Sequence, residues 1–369
     1  GDSYLGRIVT GKVESGTVTI GDPIHVLSRD GVKLGEDSKV TKLFYQRGLE
    51  RVFVDTAYAG QIISLAGCNA GVADTVSNPS NLIPVSTPPI SPPVISMTFG
   101  PNTSPFVGKD GTKLTSAAIK DRLMKEVENN VTLSLRQGPN SECLDVLGRG
   151  ELQIGILIES MRREGFELTV SPPSVLSIKE DGVEKEPWEE VVVDISPEFQ
   201  GLVIESMSNR GGSMIEFKDI GERARMIFHV PSRGFMGFRH ELTNATRGNV
   251  TINSIFSHYA EVPNTNFLAL KKGKLVCMAG GKTTYYALEM TQERGQLFIG
   301  PGEDVYEGMV IGENSRPNEL EVNPCRTKRL TNVRSTEKEE VVKLVPPKRM
   351  GVEDMISYMD DDEVLEITP

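Results

Sequence analysis

The sequence lacks any run of about 18 apolar residues, and its first residues lack the basic and apolar segments of a signal peptide. It therefore predicts neither a membrane-spanning helix nor a secretory leader. Aromatic residues make up only 6% of the 369 residues, whereas 36 glycines and 22 prolines are present. This length and composition predict two to four small domains with many turns.

Cysteine and histidine are scarce and scattered. The four cysteines lie at least 48 residues apart without a Cys-x-x-Cys pair, and the four histidines have no zinc-ligand spacing. The cysteines are typical of a reducing intracellular compartment, and we predict no metal site. His258 and Tyr259, at the end of a predicted strand, are expected to form a buried hydrogen-bonded pair. No Ser/His/Asp or Cys/His set converges, so no catalytic residue is predicted.

The Gly281-Lys282-Thr283 triplet has the ending of a phosphate-binding loop but not its beginning. The loop requires a glycine five positions before Gly281, where this chain has Val276. The residues after Lys282 are β-branched and aromatic, which predicts a strand instead of a phosphate-capping helix. We therefore interpret the triplet as a basic loop that leads into a strand. A nucleotide-dependent enzyme that uses Lys282 is the alternative.

Charge is distributed unevenly along this acidic chain. The net charge is -11, yet residues 322–334 carry four bases and no acid, whereas residues 351–369 carry seven acids and no base. An acidic tail lowers the total charge without removing a local basic surface, so a nucleic-acid partner stays possible. The alternative is a protein-interaction module that uses the tail and does not contact RNA.

The chain is predicted to be a multidomain α+β protein that begins with a small β-barrel over residues 1–87. This region is rich in Val, Ile and Thr, and its short strands alternate with tight turns. A proline-rich linker follows. Residues 263–369 return to strands and turns and are predicted to form a mostly β C-terminal domain with a short acidic helix near residue 355.

Residues 91–175 and 187–262 each show the order βαββαβ, which predicts two ferredoxin-like domains. In the first, a helix with Ser116 as N-cap is followed by a helix over residues 150–165. In the second, a helix begins at Ser196-Pro197, and one continuous helix is predicted over residues 233–248. The apolar positions assigned to these four helices are Ile119, Leu123, Val127, Leu152, Ile156, Met161, Phe199, Val203, Met207, Phe235, Phe238, Leu242 and Ala245.

Four segments resemble known translation-factor sequences. "GRIVTGKVESGTVTIGDPI" is similar to the second, β-barrel domain of translational GTPases, and "GRGELQIGILIESMRREGFEL" is similar to their third domain. "VPSRGFMGFRHEL" resembles the fifth domain, and "VYEGMVIGENSRPNELEVNPCRTKRLTNVR" resembles the C-terminal domain of the TypA/BipA branch. The chain thus resembles the TypA/BipA family over almost its whole length, without that family's N-terminal GTP-binding domain.

The resemblance implies the ribosome-binding part of a GTPase that acts in ribosome assembly, translation regulation and stress adaptation. GTP, Mg²⁺ and catalysis would belong to the missing domain, and no cofactor is expected in this part. Expected partners are the rRNA of both ribosomal subunits and the acceptor end of tRNA, with the protein a monomer. The wording "VCMAGG" departs from bacterial members, so both a bacterial cytoplasm and an organelle such as the chloroplast stroma are considered.

Lysine and arginine side chains supply the affinity for RNA phosphates, so the candidate contacts are basic. Residues 322–334 contain Arg326, Lys328, Arg329 and Arg334, and the loop around Lys282 contains Lys271, Lys272, Lys274 and Lys282 itself. The segment that resembles the fifth domain contains Arg233, Arg239 and Arg247. The alternative for each group is a solvated charged face. We expect that replacing Lys274 and Lys282 together weakens ribosome binding without changing the melting temperature. Arg149 is expected to hold an anion or an acidic neighbour.

Overall fold

The structure, a computed structural model, describes residues 6–261, 273–327 and 343–369. The chain divides into two compact units, Gly1–Ile90 and Ser91–Pro369. Among the described residues, no helix has the length and apolar character needed to cross a membrane.

The described part of the first unit is built from short strands. These are β1 (Ile8–Lys12), β2 (Thr17–Thr19), β3 (Pro23–Leu27), β4 (Lys33–Lys39), β5 (Lys42–Arg47), β6 (Glu50–Phe53), β7 (Thr56–Tyr58), β8 (Ile62–Ala66) and β9 (Thr75–Ser77). They form sheets with the orders β1-β8-β5-β6, β2-β7 and β4-β3-β9. One apolar core, with Ile24, Leu43 and Ile63 among its members, joins strands from these sheets.

The predicted closed barrel is wrong in one respect, because the strands of residues 6–90 form three separate sheets. Tight turns interrupt the ladders. Gly67, directly after β8, has φ +118°, and a Cβ atom there would lie 2.1 Å from the carbonyl oxygen of Lys39. Beside it, a single hydrogen bond from Thr41 N to Ala66 O (2.9 Å) connects the chain segments. A side chain at position 67 would therefore clash with the neighbouring backbone, so the turn after β8 requires glycine.

The second unit begins with a sheet and two helices in the predicted sequential order. The elements are β10 (Ile95–Pro101), α1 (Ser116–Asn129), β11 (Ser134–Gln137), β12 (Leu144–Gly148), α2 (Glu151–Arg163), β13 (Leu168–Val170) and β14 (Ser174–Val175). The strand order is β11-β12-β10-β13, and all neighbours are antiparallel. β14 also pairs with β10.

The N-cap of helix α1 lies one residue before the predicted cap. The side chain of Thr115, not that of Ser116, accepts a hydrogen bond from Ala118 N (3.3 Å). Helix α2 buries one stripe, formed by Ile154, Leu157, Ile158 and Met161. Leu152 and Ile156, which with Met161 are the apolar positions predicted for this helix, are 48% and 59% exposed.

A second α/β region follows, with a long central strand. Its elements are β15 (Ile178–Glu180), β16 (Val183–Ile195), a 3-10 turn (Pro197–Phe199), α3 (Gln200–Asn209), β17 (Ser213–Ile220), β18 (Arg223–Pro231), α4 (Ser232–Phe235), α5 (Phe238–Ala245) and β19 (Val250–Ala260). The strands follow the order β19-β16-β18-β17, and β15 pairs with the beginning of β16. Val191, Val193 and Ile195 of β16 face the core that contains α3 and α5.

The continuous helix predicted over residues 233–248 is wrong, because the chain breaks it at Gly237. That glycine has φ +72°, in the left-handed region that L-residues rarely adopt, and it separates α4 from α5. Phe238 and Leu242 are buried as predicted, whereas Ala245 is exposed.

The described C-terminal residues form a small sheet, a two-stranded pairing and two helices. The elements are β20 (Gly273–Cys277), β21 (Gly281–Lys282), α6 (Tyr285–Gln292), β22 (Gly295–Leu297), β23 (Asp304–Val305), β24 (Val310–Asn314), β25 (Leu320–Val322), α7 (Val352–Tyr358) and β26 (Leu365–Ile367). The main order is β22-β24-β20-β25, and β21 pairs with β23. Helix α7 confirms the predicted acidic helix.

The last strand does not stay with this sheet. β26 pairs with β13 and therefore extends the sheet that begins with β10. Glu366 on β26 accepts hydrogen bonds from Asn102 Nδ2 (2.8 Å) and from the Tyr306 hydroxyl (3.1 Å). The end of the acidic tail is thus part of a folded sheet.

Candidate nucleic-acid interface

Lys282 lies on a strand pair at the surface of the C-terminal region. Gly281–Lys282 forms β21 and pairs with Asp304 and Val305 of β23. The next residue, Thr283, is buried, and its hydroxyl donates to Gly300 O (2.8 Å). The Lys282 side chain is exposed, and we find no ion-pair partner for it in residues 6–261, 273–327 and 343–369. Buried Thr283 therefore anchors a turn that presents the lysine to solvent.

The strand predicted after Lys282 is wrong, because α6 begins there. The Thr284 hydroxyl accepts a hydrogen bond from Ala287 N (3.2 Å) and so caps the helix. Ala287, Leu288 and Thr291 are buried on one face of α6. Capping and burial outweigh the weak helix propensity of the residues at 283–286.

The presence of α6 after Gly281-Lys282-Thr283 does not make this triplet a phosphate-binding loop. Val276 occupies the position of the missing glycine and lies in β20, between β24 and β25. Gly281 and Lys282 are extended, and their backbone takes part in the β21-β23 pairing. A phosphate loop instead requires a curled run of free backbone N–H groups.

Arg326 is held beside this turn. Thr284 N donates to Pro324 O (2.9 Å), and the Thr284 hydroxyl donates to Arg326 O (2.6 Å). A Cβ atom added at Gly281 would lie 3.4 Å from the Cys325 sulfur, so the two segments are in contact. Arg326 is exposed. We call Lys282 and Arg326 the basic turn pair.

The structure corrects the interpretation of Lys274. Its side chain is 5% exposed, and its ammonium contacts Glu363 Oε2, Asp360 Oδ2 (3.1 Å) and Tyr358 O (3.1 Å). A buried cation that is already bound to two carboxylates is not available to RNA phosphate. The same contacts hold the acidic tail against β20, which weakens the hypothesis of a free acidic tail that binds other proteins.

The three arginines from the fifth-domain segment have different environments. Arg233 pairs with Glu186 while its side chain stays 56% exposed. Arg239 Nη1 donates to Ile252 O (2.8 Å), which gives it a structural contact. Arg247 is exposed, with φ +53° just after α5. Arg239 and Arg247, which are exposed, and part of Arg233 are therefore accessible to a partner.

Five of the other candidates cannot be compared with the basic turn pair. Lys271, Lys272, Lys328, Arg329 and Arg334 lie outside the described residues. Arg149 Nε donates to Ser91 O (3.0 Å), and no acidic side chain pairs with Arg149 in the described part of the chain; an anion at Arg149 stays a prediction. Across that same part, no three His, Cys, Asp or Glu side chains come together as a metal site would require.

The sequence did not indicate the buried carboxyl group of Glu151 at the start of α2. Its Oε1 is buried with no hydrogen-bond partner in the described structure, and its Oε2 accepts from Gly237 N (3.2 Å). Burial, with the nearby charges of Glu189 and Glu353, raises the pKa of Glu151 to about 7. An acid in a first helical turn is a common cap signal, and only the tertiary fold shows that this one is covered.

Comparison with known proteins identifies the class first. Residues 6–76 match the family described as elongation factor Tu domain 2, and residues 184–268 match elongation factor G C-terminus. These two matches, on the small β unit and on the second α/β region, define a chain of the translation-factor class. Residues 272–369, which contain the basic turn pair, match the TypA/BipA C-terminal domain.

Curated relatives extend that match over the entire chain. The "Large ribosomal subunit assembly factor BipA" of Escherichia coli strain K12 is 40% identical over 370 residues, covering 100% of this chain and 61% of the relative. Those of Salmonella typhimurium strain LT2 and Bacillus subtilis strain 168 are 39% and 38% identical, and the chain covers 61% and 60% of their lengths. The chain belongs to the TypA/BipA family. These relatives are bacterial and give no support to the chloroplast alternative.

Proposed function

We propose that this chain is the ribosome-binding portion of a TypA/BipA translational GTPase that acts in large-subunit assembly. The observation that carries the proposal is the basic turn pair, two exposed basic residues whose chain segments are joined by hydrogen bonds of Thr284 within the family's C-terminal domain. The names of the bacterial relatives supply the ribosomal subunit as the partner. GTP and Mg²⁺ would act in the parent protein, with this portion supplying contacts instead of hydrolysis.

The finer parts of the proposal concern domains and partners. We assign a β domain similar to translation-factor domain 2 to residues 1–87, ferredoxin-like domains to residues 91–175 and 187–262, and the family-specific domain to residues 263–369. When the strands β10 to β13 and β16 to β19 are each numbered 1 to 4 in chain order, the first sheet has the order 2-3-1-4 and the second has the reverse order. Neighbouring strands are antiparallel in both sheets, which supports the ferredoxin-like assignment. The proposed partners are the rRNA of both subunits and the acceptor end of tRNA. We also propose a monomeric state and a role in stress adaptation.

The RNA contact is tested by sedimenting the chain with isolated large ribosomal subunits at several salt concentrations. Each cation that binds a phosphate contributes roughly 0.7 to 0.9 to the slope of log affinity against log salt. Lys282→Ala with Arg326→Ala is therefore expected to weaken binding and to reduce that slope by about 1.5 units. Because both side chains are exposed, the free energy of unfolding should change by less than about 0.5 kcal/mol.

The matched control removes the same charge from the first unit. Lys39 and Lys42 are exposed, so Lys39→Ala with Lys42→Ala changes net charge equally without altering the basic turn pair. This control should bind the large subunit with the same slope of log affinity against log salt as the unaltered chain. Equal loss in both double variants would mean that overall charge controls binding, and salt-independent binding would contradict the proposal.

A further inference from the structure

A stack of aromatic rings lies on the sheet of the second α/β region. The indole of Trp188 and the imidazole of His258 stack with centroids 6.1 Å apart and an interplanar angle of 18°. The ring of His229 contacts that of His258 at 5.6 Å and 60°. The three residues come from β16, β19 and β18, so the rings form a row across three strands. We call this row the ring platform.

The platform is on the face of the sheet opposite the helices. Side chains alternate along a strand, and Val191 and Val193 of β16 pack on α3 and α5. Trp188 and Glu190 therefore point to the other face. His258 is exposed there, and neighbouring Ile255 is 60% exposed. The expected buried pair of His258 and Tyr259 is thus wrong, because Tyr259 contacts Phe256 instead.

The rings are not held by strong polar contacts. The indole N–H of Trp188 is buried, and it lacks an acceptor among the described residues. His258 Nδ1 is 3.0 Å from the hydroxyl of its neighbour Ser257. His229 Nε2 lies 3.8 Å from Glu190 Oε2, beyond hydrogen-bond distance. An exposed His258 ring beside two half-buried rings, with one hydrogen bond to a neighbouring serine, suits stacking on another planar group.

A cation lies at one end of the platform. Glu186 is two residues before Trp188 on β16 and thus shares its face. Its carboxylate binds Arg233 through Nε and Nη2, which leaves the Nη1 donors of a 56% exposed guanidinium free of this pairing. An arginine beside exposed rings can bind a phosphate while the rings stack on the base.

We propose that the ring platform binds an unpaired RNA base, with Arg233 on an adjoining phosphate. Open antiparallel sheets with surface rings bind single-stranded RNA in this way, whereas the bases of a duplex are stacked internally and inaccessible. The occupant is a segment of single-stranded RNA. The inference rests on the proposed RNA-binding function and adds a second contact, separate from the basic turn pair.

The experiment uses the single tryptophan of the chain, Trp188, as its probe. A ten-nucleotide unstructured RNA is titrated into the chain while tryptophan fluorescence is recorded. We expect saturable quenching of the Trp188 emission, because the proposal stacks an RNA base on the ring platform. Since Trp188 is the single tryptophan, any change in tryptophan emission reports on that platform. The same sequence annealed to its complement should not quench. No saturable quenching by the single strand, or equal quenching by the duplex, would overturn the proposal.

Two variants separate stacking from folding. His258→Ala removes the exposed ring and should weaken binding roughly tenfold, whereas His258→Phe retains a ring and should keep most of the quenching. If His258→Ala disturbs the fold, the phenylalanine variant still tests the proposal, since equal loss in both would contradict stacking. Lys39→Ala with Lys42→Ala, which lies outside both proposed contacts, should leave the quenching curve unchanged. If the chain sediments with ribosomal subunits but its tryptophan emission is not quenched by the single-stranded RNA, the ring-platform proposal is refuted and the proposed ribosome-binding function is not.

Discussion

Replacing Lys274 with methionine is expected to lower the free energy of unfolding of the second unit by about 3 kcal/mol. The buried ammonium binds Asp360 and Glu363, which are 33% and 22% exposed. Methionine fills much of the volume but leaves both carboxylates close to each other without a cation. Loss of one partner from such a buried group is costly because the remaining charges have been removed from water.

Urea denaturation measures this change, and hydrogen exchange locates it. Amides of β26 should exchange faster in Lys274→Met, because Asp360 and Glu363 precede that strand and fasten its segment to β20. Lys282→Met is the matched control, since it places the same side chain at an exposed position of the same region. Equal stability of the two variants would show that the buried ion pairs contribute little.

Unfolding stability is expected to fall between about pH 4.5 and pH 7 because of Glu151. Its carboxyl has a pKa of about 7 in the folded chain, above the ordinary value of 4.5. Below pH 4.5 both states are protonated, and the stabilisation is complete. As pH rises toward 7, the unfolded chain releases the proton and the folded chain retains it, so about 2 to 3 kcal/mol is lost.

Glu151→Gln should remove this part of the pH dependence. The stability of the variant relative to the unaltered chain should therefore rise by about 2 to 3 kcal/mol from pH 5 to pH 8. Glu159→Gln on the same helix is the control. Hydrogen bonds from Arg162 and Arg163 lower the pKa of Glu159 to about 2, which is outside that window. Parallel curves for the unaltered chain and Glu151→Gln would contradict the assignment.

Helices with one strong apolar stripe were the most predictable part of the fold. Ile119 and Leu123 are buried in α1, as are Val203 and Met207 in α3, because spacing of three or four residues places side chains on one helix face. Helix α2 shows the limit of that rule. It is apolar on more than one side, so local spacing did not distinguish the buried Ile154 and Ile158 from the exposed Leu152 and Ile156.

The candidate site was predictable only where its properties are local. The missing glycine at Val276 and the turn residues around Lys282 indicated an exposed lysine outside a phosphate loop. The burial of Lys274 depends on Asp360 and Glu363, almost 90 positions later in the chain. The pattern of residue types within a short stretch of sequence contains no information about contacts between residues so far apart in the chain. The same is true of the row of Trp188, His258 and His229, which only strand register brings together.

The most direct test of the RNA contact is photo-crosslinking from the basic turn pair. Lys282 is replaced by benzoylphenylalanine, the chain is bound to isolated large ribosomal subunits, and the crosslinked RNA and protein are separated and identified after irradiation. We expect rRNA crosslinks from position 282 and none from the same probe at Lys39. Sedimentation with the subunits accompanied only by protein crosslinks from position 282 would contradict the proposal that this surface binds RNA.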